Sequence, residues 1–168
     1  MAKVKDVARL LILLAQESGG EPMTQLRLQK MLYFVQGWHL ARHDEPMFTE
    51  AIQAWVLGPV SIEVRSEYLE YGNSEITIPE SESEQVQTAG FTDNEIATII
   101  DVFSEYNRYA TSTLVDKTHW SLPWKQHYNK FTKNNVIPEE DMKEYFKKLP
   151  QLAGIEDILD GYPMECIV

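Results

Sequence analysis

The chain has 168 residues, with Lys+Arg 15 against Asp+Glu 26 and a formal net charge of −11. Its hydrophobic fraction of 43% and charged fraction of 24% are those of a folded globular chain, and the length suits one domain with one core. The surplus of acid argues against a nucleic-acid platform or an anionic membrane surface. The lone Cys166 excludes an internal disulfide or a cysteine metal cage, and no apolar run nears the ~20 residues that span a bilayer.

The first segment, from Ala2 to Ser18, has helical periodicity: Val4, Val7, Ala8, Leu11, Leu14 and Ala15 share a stripe that Leu10, Ile12 and Leu13 widen. Gly19-Gly20 and Pro22 end it, and it is expected to be the central core helix. Lys3 and Lys5 before this apolar run faintly mimic a signal peptide, but Asp6 and Arg9 interrupt it. Thr24 caps a second helix reaching about Arg42, with Leu28, Met31, Leu32, Val35, Trp38 and His39 on one face. The short connection makes the two helices expected antiparallel neighbours.

Between Phe48 and Leu57, Ile52, Ala54 and Val56 alternate with polar or larger residues, which suits a short strand. Gly58-Pro59 is expected to feed a helix from Val60 to Tyr71, with proline at its first position. Glu75 to Ile78 alternates again and is expected to pair with the earlier strand; the serine- and glutamate-rich stretch from Glu80 to Glu84 reads as a polar loop. Thr92 and Glu95 form a capping box ahead of Ile96, Ile99, Ile100, Phe103 and Tyr106. Short helices follow around Ser112–Thr118 and from near Pro123. A final helix begins at Pro138, with acids in its first turn and lysines in its last, as the helix dipole favours. The expectation is a mainly α, single compact domain over 1–150 with a small two-stranded β element. An acidic tail over 151–168 carries one helical turn near Ile155–Leu159.

Catalytic constellations are weak. His39 and His43 are four apart, a spacing that can place two imidazoles on one metal, but Leu40-Ala41-Arg42 between them lacks a glutamate base and Arg42 repels a cation. His39 on the apolar face and His43 at the helix end is the simpler reading. His119 and His127 could be paired with a serine or with Cys166, yet no nucleophile elbow or cysteine-protease signature accompanies them. No glycine-rich phosphate loop occurs. No metal, cofactor or enzymatic activity is expected. Trp38, Trp55, Trp120 and Trp124 serve as core packing first and as recognition surface second. The lysines from Lys125 to Lys148 and the acids of Glu80–Glu84 and Glu156–Asp160 are expected to be solvated faces.

Three stretches recur together in a known family. They are Leu26-Arg27-Leu28-Gln29-Lys30-Met31-Leu32-Tyr33-Phe34 running on to Gly37-Trp38, then Ala54-Trp55-Val56-Leu57-Gly58-Pro59-Val60, then Thr118-His119 followed by Pro123-Trp124. Their order and spacing resemble the Panacea, or SocA-like, antitoxin domain over roughly Val4 to Tyr145. Leu57 stands where the family usually has an aromatic ring. The resemblance implies a mostly helical, non-enzymatic, cytoplasmic domain, frequent in prophages and defence loci, that neutralises a cognate protein toxin by binding it. One described member delivers its toxin to an AAA+ protease. The matched motifs single out Lys30, Tyr33, Trp38, Trp55, Gly58, Pro59, His119 and Trp124, as scaffold first and toxin contact second. The Glu50–Tyr71 surface, tuned by the Glu80–Glu84 stretch, is the expected contact. Two alternatives stay open: an adaptor or phage regulator binding a host protein, and a small hydrolase or metal-dependent nuclease using His39, His43, His119 or His127.

Overall fold

A computed structural model describes residues 1–87 and 90–152. Along the chain run α1 (Val4–Ser18), α2 (Gln25–His43), β1 (Ile52–Trp55), β2 (Gly58–Ser61), α3 (Ile62–Glu67), a 3-10 turn (Leu69–Tyr71), α4 (Glu80–Gln87), α5 (Asp93–Tyr106), α6 (Thr111–Trp120), α7 (Leu122–His127) and α8 (Glu139–Lys147). The protein is mainly α with one small antiparallel hairpin, as expected. The tail turn expected near Ile155–Leu159, the acids Glu156–Asp160 and Cys166 lie outside the described residues.

The central helix is α2, not α1. It packs against α1, α3, α5, α6, α8 and β2, and every residue from Arg27 to Leu40 is buried. The apolar stripe marked only part of this burial, because Arg27, Gln29, Lys30, Gln36 and His39 are buried too. Burying a polar group is costly unless it is hydrogen-bonded, and Arg27, Gln29, Lys30 and Gln36 meet most of that demand by gripping the backbone of neighbouring segments, while His39 bonds the Thr98 hydroxyl and Arg27 Nε is left without a partner. Gln36 donates to Phe48 O at 2.8 Å and accepts from Met47 N at 2.9 Å. Gln29 does the same to a single residue, accepting from Ser61 N at 2.7 Å and donating to Ser61 O at 3.2 Å. Arg27 donates to Tyr109 O and Asn107 O at 2.8 and 2.9 Å, fixing the turn between α5 and α6.

Gly37 sits within α2 because α8 presses on it. A Cβ there would lie 2.1 Å from the ring of Phe146, which packs edge-on against Tyr33 and Trp38. The capping box of α5 is present in both directions, Glu95 N to Thr92 Oγ1 and Thr92 N to Glu95 Oε2.

Four local expectations are corrected. Gly58-Pro59 does not open a helix: β1 and β2 pair with Trp55 opposite Gly58, leaving Val56 and Leu57 as the turn. The positive φ of 106° falls on Gly58, the residue after the turn, and Ser61 caps α3 instead. Glu75–Ile78 is not a strand of this sheet. Glu75 bridges Thr24 and Ile76 N donates to Met23 O, while the free edge of β1 is covered by Ala54 N to Asn135 O and Ile137 N to Ile52 O. The polar stretch from Glu80 is a helix, α4, held on α1 through Val86, which is buried. Pro138 is the N-cap of α8 and Glu139 its first residue.

Candidate functional site

The motif residues converge beneath the β1–β2 hairpin. Trp124 Nε1 donates to Trp55 O at 2.8 Å. His119 Nε2 meets Val56 O at 3.1 Å, which requires the proton on Nε2 because a carbonyl only accepts. Lys30 Nζ donates to Pro59 O at 3.1 Å. Gly58 closes the set by close approach: a Cβ there would lie 2.7 Å from Thr118 Oγ1 and 2.8 Å from Lys30 Nζ. One turn along α2, Tyr33 OH lies 2.9 Å from Ser121 Oγ, which itself donates to Thr118 O at 2.7 Å. Three backbone carbonyls of the hairpin, those of Trp55, Val56 and Pro59, are thus held from α2, α6 and α7. Trp124 is in turn sandwiched, 4.3 Å from the His119 ring and stacked at 4.8 Å on Tyr128.

Trp38 is the motif residue that lies apart. Its indole donates to Tyr106 OH at 3.0 Å in the core between α2, α5 and α8. Lys30, Tyr33 and Trp38 are each 0 or 1% exposed. Burial pulls the Lys30 ammonium down to about 7 and raises the Tyr33 phenol. Among the described residues Lys30 has no carboxylate partner; its Nζ bonds the Pro59 carbonyl oxygen.

Above this support the turn itself is bare. Val56 is 63% and Leu57 55% exposed, and Leu69 next to them is 55% exposed. The hairpin divides two concavities. One, of about 370 Å³, lies toward α3 and is lined by Leu57, Leu69, Lys30 and Arg65 among others. The other, of about 330 Å³, lies toward the segment before α8 and includes Tyr128, Lys130 and Lys133. Trp55 and Val56 line both. Arg65 packs over the Trp55 ring, with its guanidinium carbon 5.2 Å from the centroid.

The remaining histidines have structural partners. His39 is buried with Nδ1 3.1 Å from Thr98 Oγ1, and the His43 ring stands 4.6 Å away. Burial first, and then the neighbouring His43, pull His39 down to about 4, so it is neutral near pH 7. His127 Nε2 contacts Asp141 Oδ2 at 2.6 Å and ties α7 to α8. Among the described residues no three of His, Cys, Asp and Glu are grouped as a metal site requires, and no helix is long and apolar enough to cross a membrane.

A scan against protein-family models then matches residues 28–125 to the SocA-like antitoxin, Panacea domain. The match covers more than half of the chain. The protein belongs to that family. No curated protein and no solved structure matches it. The Panacea match opens in α2, runs through the hairpin and closes within α7, so it includes every side chain that bonds the hairpin carbonyls, while Tyr128, α1 and α8 lie outside it. Sequence reasoning identified the residues that meet below the hairpin. It missed the Gln29 grip and the two-residue turn at Val56-Leu57 within the Glu50–Tyr71 surface, and it read Lys130 and Lys133 only as part of a solvated face. The legible signal for the turn was Gly58: read as a positive-φ residue closing a hairpin, it leaves two apolar residues at a solvent-facing tip.

Proposed function

We propose that this Panacea-domain chain is the antitoxin of a toxin–antitoxin pair and neutralises a cognate protein toxin by direct, stoichiometric binding through the β1–β2 hairpin and the adjoining face of α3. The family membership supports the antitoxin role. One observation carries the surface: the motif side chains are spent on anchoring the hairpin backbone, whereas the two residues left at its tip, Val56 and Leu57, are apolar and solvent-facing. Exposed apolar residues on a rigidly held turn are suited to an interface core, since little order is lost on binding. In this reading Trp55, Gly58, Pro59, His119 and Trp124 set the shape of the turn, Lys30 and Tyr33 support it from beneath, and Trp38 holds the core. The net charge of −11 favours encounter with a partner carrying a basic face, which quickens association.

Co-expression tests the proposal. The chain is induced together with the small open reading frame beside its gene, and growth and co-purification are scored. Rescue of growth with a stable complex is the expected result. Rescue with loss of the toxin from the cell would instead make the chain an adaptor to a protease. A neighbour that does not poison cells would contradict the antitoxin role.

A further inference from the structure

The charged side chains that line the two concavities beside the hairpin are opposite in sign to the net charge of the chain. Across the chain, Asp+Glu 26 outnumber Lys+Arg 15. Yet neither of the two concavities beside the turn is lined by a single Asp or Glu; one presents Arg65, with Lys30 buried at its wall, and the other Lys130 and Lys133. The nearest acids on α3 are engaged elsewhere: Glu67 pairs with Lys5 and Arg9 on α1, and Glu63 Oε2 lies 3.4 Å from Ser61 Oγ. Arg65 and Lys130 rest on aromatic faces, Trp55 and Phe131, rather than on carboxylates.

Resting on the antitoxin reading above, the geometry points to a defined chemistry for the contact. The toxin segment seated astride the hairpin carries carboxylate side chains beside large apolar ones, the apolar groups covering Val56, Leu57 and Leu69 and the carboxylates entering the two flanking concavities toward Arg65 and toward Lys130 and Lys133. Volumes of about 370 and 330 Å³ have room for one or two side chains each. Placing an acidic side chain there costs no like-charge repulsion from the lining, whereas a basic one would meet Arg65 or the lysine pair across a partly desolvated gap. A cationic site on a chain of net negative charge also restricts orientation, because the partner must bring its carboxylates to the hairpin. A polyanion such as RNA, by contrast, would meet a chain of net charge −11.

The sign of a charge reversal separates these cases. Arg65→Glu, Lys130→Glu/Lys133→Glu and, as a distant control, Lys148→Glu are made in the full chain. Each is checked for an unchanged thermal midpoint and titrated against the purified toxin from the neighbouring gene. Expected is a loss of about tenfold or more in affinity for each hairpin variant, and no loss for Lys148→Glu. Unchanged or tighter binding by both hairpin variants would overturn the acidic-segment proposal while leaving the antitoxin reading standing. Absence of binding by the wild-type chain would overturn both. Retention of a short random-sequence RNA by the wild-type chain, lost in the same variants, would assign the concavities to nucleic acid and overturn the proposal.

Discussion

The two ends of α2 use the same helix in opposite ways. Around Gly37 and Trp38 the helix is closed off by α8, with Phe146 pressed onto the glycine and ringed by Tyr33, Phe34, Trp38 and Tyr145. About two turns earlier, Gln29 and Lys30 reach out of the helix to hold β2, and the hairpin they hold ends in exposed Val56 and Leu57. The first region stabilises the fold through apolar packing; the second uses buried polar side chains to fix a displayed turn. If the hairpin binds as proposed, such a support lowers the cost, because a loop positioned by rigid elements binds without first having to order itself.

That contrast can be broken first at the packed end. Phe146→Ala removes the ring on which α8 closes and is expected to cost ~3–5 kcal/mol in urea unfolding. Gly37→Ala gives the complementary test. In an exposed helix the change would stabilise by about 1 kcal/mol. Here the added Cβ meets the Phe146 ring, so destabilisation is expected, and a gain in stability would contradict the packing.

Lys30 sharpens the contrast at the other end. Its folded value, near 7, is below the unfolded 10.5, so between these pH values the unfolded chain holds a proton that the folded one has released. Stability contributed by this group therefore rises with pH through that window, and the full penalty of burying the charge is present below pH 7. Lys30→Met removes the titration. Relative to wild type, the variant should gain most, on the order of a few kcal/mol, near pH 6.5, and the difference should shrink by pH 9.5. A difference independent of pH would mean that the ammonium is not buried as described. Smaller still is Gln29→Leu, which leaves Ser61 N and O without their partner at an expected cost of ~1–3 kcal/mol, read from the same urea curves.

Most helices were legible because an apolar stripe or a capping box marks them: α1 and α5 follow their periodicity, and Thr92 with Glu95 gives the start of α5. The centrality of α2 was not, since hydrophobic periodicity ignores Arg27, Gln29, Lys30 and Gln36, whose burial is compensated mainly by backbone groups distant in sequence. The hairpin was half legible. Ile52 and Ala54 showed the alternation of β1, but Pro59 suggested a helix start, and only the pairing of Trp55 with Gly58 reveals a turn at Val56-Leu57. Most of the motif residues meet at the hairpin for a physical reason: Lys30, His119 and Trp124 bond its backbone carbonyls, and Gly58 leaves room for Lys30 and Thr118.

The most direct test of the central claim is the Val56→Asp/Leu57→Asp double variant, measured for unfolding free energy and for growth rescue against the neighbouring toxin. Both side chains face solvent, so stability should stay within ~0.5 kcal/mol of wild type while rescue and co-purification are lost. A variant that folds normally and still rescues growth would contradict the hairpin as the binding surface.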